Sequence, residues 1–416
     1  MSSNKQLYSL STTLALPHCI DASGRLSVMD AKDVAMFQWP DGSWCHDANR
    51  FIRELTERRL SRVNRGGSIA TFAAHISHLL RFVWARKISL STITDAEFTS
   101  FIHFISEHGT GRSPKMVREI GRTCLQLMRS VAAHGGEADA VSETGRIRIY
   151  FTKSNSSRSS ARRAAGGLNH ASFPRPEPQR RRMPTTREVI DSLVAASETA
   201  STNPHQRMRR LVMLRLMEIT GARRGELALL TTQAVKSALA MTRPMLKLIT
   251  LKTRAWTPPS RLIPINRRDI EYINTYIEIY RSRIVSKHLK GNDHGYVLVN
   301  GRDGSALRPS TLTQEVAKLA AHAGLRSRVS PHLFRHRFIT RLFVALIEQH
   351  ELENEDQFRR ALLEGETLRF KVSQWTGHRN LASLDHYIHL AFDEAMGSRG
   401  FNIDELMVAA LSRPGD

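Results

Sequence analysis

Residues 330–336 read Ser330-Pro331-His332-Leu333-Phe334-Arg335-His336. Serine followed by proline predicts a helix start. The serine caps free N–H groups, and proline suits the first turn, where its missing N–H is no loss. His332 then lies in the first turn and Arg335 one turn on, so the two share a face. A helix N-terminus already favours anions, and a histidine and an arginine added there make a phosphate seat. Read alone, the heptapeptide also suits a satisfied histidine beside a surface arginine. His336 reads as an inward-packing structural residue.

Three other segments carry the same chemistry. In Thr220-Gly221-Ala222-Arg223-Arg224-Gly225-Glu226-Leu227, Gly221 is a candidate helix C-cap. Glu226 follows Arg223 by three residues, and a carboxylate there would hold a guanidinium fork ready for a phosphate. In Leu251-Lys252-Thr253-Arg254, Lys252 ends an expected strand and could protonate a leaving oxygen; Lys247 is the alternative. In Thr376-Gly377-His378-Arg379-Asn380, His378 precedes Tyr387 by nine residues. His386 and His389 flank Tyr387, but no cysteine or carboxylate set accompanies them, so a metal is not expected.

The whole chain agrees with an anionic partner. Its 61 Lys and Arg against 39 Asp and Glu leave a net charge of +22. That favours nucleic acid over an anionic membrane. Cys19, Cys45 and Cys124 are too few and too scattered for a disulfide framework or a metal site. No basic-then-apolar leader and no long apolar run is present. The expectation is a soluble, cytoplasmic protein with access to DNA and no membrane partner.

With 416 residues, the chain is long enough for two cores. Residues 1–45 mix Ser, Thr and Gly and read as a loosely structured arm. A helical domain is expected over 46–135. Ile69, Phe72, Ala73, Ile76, Leu79, Leu80 and Val83 make one stripe. Thr94 and Glu97 make a capping box before Phe98, Phe101, Ile102 and Ile105. Ser113-Pro114 opens a helix through Val117, Ile120, Cys124, Leu127 and Val131. Residues 136–184 read as a basic linker. Within 146–187, eleven Lys or Arg face one acid, Glu177, around a serine-rich run, so this segment reads either as a strap along DNA or as a solvated loop. A second domain over 185–416 opens on a Thr185/Glu188 capping box. It carries helices over 186–199 and 205–219 and a strand pair through Leu246–Leu251 and Leu262–Ile265. Tyr296–Val299 is a further strand candidate. The fold class is mostly α with a small β-sheet.

Together the four segments resemble the tyrosine recombinase (phage integrase) family, most closely over 185–390. The order Arg223, Lys252, His332-x-x-Arg335, Gly377-His378, Tyr387 is the family's order. The resemblance implies a helical core-binding domain ahead of a catalytic domain that contains the small sheet, the two forming a clamp on double-stranded DNA. It implies that the Tyr387 hydroxyl attacks a phosphodiester, leaving a 3′-phosphotyrosine and a free 5′-hydroxyl. Arg223, Arg335 and His378 would stabilise the transition state, His332 would assist proton transfer, and Lys252 would protonate the leaving oxygen. Neither ATP nor a metal nor another cofactor is required. The working unit would be a tetramer on two DNA sites. The C-terminal helix, capped by Asn402 and Glu405 with Ile403, Leu406, Met407, Ala410 and Leu411 on one face, would dock on a neighbouring protomer or on its own domain. A type IB topoisomerase and a catalytically silent DNA-binding protein are the competing readings. Arg335 and His378 lie further apart than is usual in the family, and the acidic run Glu351–Asp356 in that excess is expected as a surface loop.

Overall fold

The computed structural model describes residues 7–20, 23–58, 60, 63–107, 111–151, 167–176, 183–251, 259–378 and 384–398. The chain divides into two units, the first running to Arg180 and the second beginning at Arg181. Lys252, Arg180–Arg182, the serine-rich run and the C-terminal helix at 402–411 lie outside the described residues.

The first unit is built on helices α1 (His46–Glu57), α2 (Val63–Arg86), α3 (Asp95–Glu107) and α4 (Pro114–His134). The expected stripes are its core. Ile69, Ala73, Ile76, Leu79, Leu80 and Val83 of α2 are buried with Phe98, Phe101, Ile102 and Ile105 of α3. The Thr94 N–H donates to Glu97 at 2.8 Å, and the Glu97 N–H returns to the Thr94 hydroxyl at 3.3 Å, closing the capping box. Ser113 caps α4 through the Met116 N–H.

Two expectations for this unit need correction. The described residues among the first 45 are not a loose arm. They contain strands β1 (Tyr8–Leu10), β2 (Ala15–Ile20), β3 (Leu26–Asp30) and β4 (Ala35–Phe37), with β1 paired to β4 and β2 to β3. Val34, Ala35 and Phe37 are buried in the helical core, and that burial holds the strands. The segment read as a linker is also partly built into this unit. Short strands β5 (Val141–Ser142), β6 (Ile147–Arg148), β7 (Tyr150–Phe151) and β8 (Leu168–Asn169) lie here, and Ile147, Ile149 and Leu168 join the same core. Buried His170 bonds Asp95 at 3.0 Å, and Arg122 donates to the Leu168 carbonyl at 3.0 Å.

The second unit is mostly helical around one two-stranded sheet. Its first helices are α5 (Arg187–Thr199), α6 (Pro204–Thr220), α7 (Arg224–Ala228) and α8 (Thr232–Leu239). Strand β9 (Met245–Ile249) pairs antiparallel with β10 (Ser260–Pro264), Leu248 opposite Arg261. Later come α11 (Pro309–His322), α12 (Pro331–Gln349), α13 (Glu355–Glu364), α14 (Glu366–Thr376) and α15 (Asp385–Ser398), with α9 (Arg267–Thr275) and α10 (Ser282–Leu289) before them. The α5 cap is Thr186, one residue later than expected, and its hydroxyl accepts from the Val189 N–H. Tyr296 and Val299 make only isolated bridges, to Thr231 and Ala306.

The extended interval between Arg335 and His378 carries the expected, largely exposed loop over 351–354 and then turns helical at Glu355. It holds helix α13, whose Phe358 and Leu362 are buried with Phe343 of α12 and Tyr387, Ile388 and Phe392 of α15. An apolar pair four residues apart in EDQFRRALLE is the pattern that folds it inward. Among the described residues no helix is long and apolar enough to cross a membrane.

Candidate active site

Two helices end in the same way and present the site. Thr220 and Gly221 close α6; Thr376 and Gly377 close α14. Both glycines are left-handed, with φ of 53° and 63°, where a side chain would be strained. Each threonine hydroxyl donates back to its own helix, Thr220 to Leu216 O at 2.5 Å and Thr376 to Val372 O at 2.6 Å. Each also accepts an N–H from beyond the end, that of Ala222 at 3.1 Å or His378 at 3.3 Å. The residues delivered just past these ends are Arg223 and His378.

Arg335, in the second turn of α12, bridges the two ends. Its guanidinium donates to Gly221 O at 2.9 Å, to Thr376 O at 2.5 Å and to His378 Nε2 at 3.3 Å. Only 3% of the residue is exposed, and among the described residues no carboxylate pairs with it. The negative ends of two helix dipoles satisfy its hydrogen bonds without cancelling its charge. Burial, then repulsion from Arg223, pushes its pKa down to about 9, so it stays a cation at neutral pH.

The one carboxylate of the cluster, Glu226, is fully buried. It accepts from the Arg223 N–H at 2.9 Å, from Arg223 Nη1 at 2.9 Å and from Arg261 Nη2 at 2.8 Å. Burial raises its pKa, but the Arg261 hydrogen bond and both arginine charges outweigh that and hold it low. Two guanidiniums, Arg223 and Arg261, thus share one carboxylate while Arg335 stands beside them without one among the described residues, and the surplus positive charge suits a phosphate.

His378 is neutral. Burial, then Arg335, Arg223 and Arg261, lowers its pKa to about 3. A guanidinium only donates, so Nε2 must accept and the proton resides on Nδ1. Nδ1 is buried and has no hydrogen-bond partner among the described residues. His332 is exposed and its ring lies 4.4 Å from that of His336. A cavity of about 830 Å³ is lined by Arg223, Arg224, Arg328, Ser330, His332 and Arg335.

Tyr387, in the first turn of α15, is 5% exposed. Its ring centroid lies 5.1 Å from that of His336 and 6.2 Å from that of His378. Burial raises its pKa, while Arg335 and Arg223 pull it back. It therefore carries its proton at neutral pH, and the nearest cations favour losing it.

Arg223, His332, Arg335, His378 and Tyr387 thus converge, although Tyr387 and His378 do not line the cavity. Lys252 lies outside the described residues; Lys247 is exposed on β9, opposite Leu262. His389 pairs with Glu355 at 2.5 Å, and His386 packs against His336 at 5.8 Å between ring centroids. No cluster able to hold a metal exists among the described residues. Sequence reasoning missed Arg261. Its signal was strand phase: in Ser260–Pro264 the buried positions are Arg261 and Ile263, so an arginine points where an apolar residue belongs.

Residues 184–354, which include Arg223, Lys252, His332 and Arg335, match the phage integrase family. This part of the chain belongs to that family. Among curated proteins, tyrosine recombinase XerD of Staphylococcus aureus is 26% identical over 202 residues, covering 49% of this chain and 57% of the relative. XerD of Staphylococcus epidermidis is 25% identical over the same length. The chain thus spans little more than half the length of these relatives. Two structures of the XerH site-specific recombinase bound to difH DNA, before and after cleavage, superpose with TM-scores of 0.52 and 0.51 at 17% and 15% identity. The pre-cleavage match covers 84% of this chain and 88% of that one; the post-cleavage match covers 86% and 88%. At such identities the likeness is one of fold: the phage integrase unit here has the tyrosine recombinase architecture.

Proposed function

We propose that this chain is a site-specific DNA recombinase acting on cytoplasmic double-stranded DNA, as a tetramer on two sites. The observation that carries this reading is Arg335, a buried cation bonded to two helix ends and, among the described residues, to no carboxylate, set among Arg223, His378 and Tyr387. A buried, uncancelled charge is costly unless something anionic uses it. A scissile phosphate does so.

In this reading Arg223 and Arg335 hold the non-bridging oxygens, and the His378 Nδ1–H donates a third hydrogen bond. Each becomes stronger as negative charge builds in the transition state. Tyr387 Oη forms a bond to phosphorus as the bond to the 5′-oxygen breaks. Its proton leaves with help from His332, and Lys252 protonates the departing oxygen. The covalent 3′-phosphotyrosine conserves the bond energy for rejoining, so ATP is not consumed.

The test is a half-site suicide substrate that traps the protein–DNA adduct, run in EDTA. Wild type should form the adduct, and Tyr387→Phe should form none while binding the same DNA equally well, since it loses one hydroxyl and no charge. An adduct with phenylalanine at 387 removes Tyr387 from the reaction. Tight binding without any wild-type adduct identifies a silent DNA binder. Relaxation of plasmids lacking any specific site identifies a topoisomerase.

A further inference from the structure

Helix α13, in the extended interval between Arg335 and His378, grips the helix that carries Tyr387. Arg359 is the centre of the grip. Its Nε donates to Asp385 at 2.8 Å, Nη1 to Asp356 at 2.9 Å and Nη2 to Glu355 at 2.8 Å. Asp385 stands two residues before Tyr387. Glu355 accepts from His389, two residues after the tyrosine and on the same face as Asp385, at 2.5 Å. One turn of α13 therefore holds α15 both before and after Tyr387. Between the ionic contacts, the Phe358 ring packs 5.0 Å from Phe343 and 6.4 Å from Phe392. Phe343 belongs to α12, the helix that carries Arg335.

We infer that Arg359 is a positioning residue that fixes the Tyr387 helix against Arg335 of the same chain. The inference rests on the recombinase reading for its consequence, though not for its geometry. The chemistry of the clamp is specific to arginine: a planar fork with donors on three nitrogens can reach three carboxylates at once, which a lysine ammonium cannot do in the same geometry. Surface ion pairs taken singly contribute little, whereas a network sharing one arginine contributes more. Holding a nucleophile near its target phosphate is the kind of ordering that raises a rate without raising affinity.

Amide hydrogen exchange on full-length Arg359→Gln reads the clamp without DNA. Exchange across residues 385–392 should quicken about fivefold, the scale of a small ion-pair network, while residues 335–343 of α12 exchange as in wild type. An equal rise in both stretches, or none in 385–392, overturns the proposal. On the suicide substrate the same variant should form its adduct about fivefold more slowly with unchanged DNA affinity. A wild-type adduct rate also overturns the proposal. Arg359→Lys should recover only part of the loss. If the glutamine variant does not fold, Asp385→Ala removes one acceptor and should show the same pattern more weakly; its absence there counts against the clamp. A wild-type protein that forms no adduct would defeat the recombinase reading, and the exchange experiment would still decide whether α13 holds α15.

Discussion

At the scale of single residues, the site is an exercise in leaving charge uncancelled. Arg335 differs from Arg223 in this respect. Arg223 is oriented by a carboxylate, Glu226, whereas Arg335 is oriented by two carbonyls. Arg335→Ala should therefore show two effects. Adduct formation should fall by roughly two orders of magnitude or more, as when one oxyanion donor is lost. Stability should fall by about 1–3 kcal/mol, because Gly221 O and Thr376 O lose a buried donor. Single-turnover cleavage and urea unfolding measure the two. Cleavage within threefold of wild type would make Arg335 purely structural. His378 illustrates the same logic in neutral form: its value is a donor on Nδ1, set by the tautomer that Arg335 imposes.

At the scale of elements, the Thr-Gly endings of α6 and α14 set the distances in the site. Gly377 shows how little room there is. A Cβ there would lie 2.9 Å from Arg261 Nη1, on a backbone with φ of 63°. Gly377→Ala should cost about 1 kcal/mol or more from the left-handed conformation alone. It should also slow cleavage further than that loss of stability explains, because it pushes Arg261 away from Glu226. Comparing adduct rates at a temperature where both proteins are fully folded checks this; an unchanged rate would show that Arg261 yields freely. The elements also show what was legible beforehand. The helical stripes, both arginine segments and the β9–β10 pair could be read because their periodicity and capping are local. The strands at 8–37 could not, since they are held by burial of Val34 and Phe37 against distant helices rather than by their own pattern. Helix α13 was hidden by its acidic start. Glu355 and Asp356 look like solvated loop charges until Arg359 and Asp385 are placed beside them. Arg261 was hidden because its partner Glu226 lies 35 residues away.

At the scale of the whole molecule, both units keep histidines neutral by burial. In the first unit, burial and then Arg81 lower His78 to about 4. In the second, burial and then Arg209 lower His205 to about 4, while His378 falls to about 3. The unfolded chain protonates these groups near 6.5 and the folded chain only well below, so the unfolded state binds more protons in between. Stability is thus complete above pH about 6.5 and declines as the pH falls toward about 4. Thermal unfolding across that range should show the midpoint dropping, and His205→Gln should flatten the decline; a midpoint independent of pH would mean these histidines are not held neutral. Arg335 sets a different kind of constraint, on the order of assembly. Its two backbone acceptors lie 114 residues before it and 41 residues after it, so no local nucleus can supply them. We expect the guanidinium to stay hydrated until α6 and α14 have both docked, so that its burial comes late in folding. Replacing it should then hasten unfolding and leave refolding nearly untouched. A nascent or half-folded chain consequently has no assembled arginine cluster, and on the recombinase reading any capacity to cleave DNA would arrive only with the finished fold.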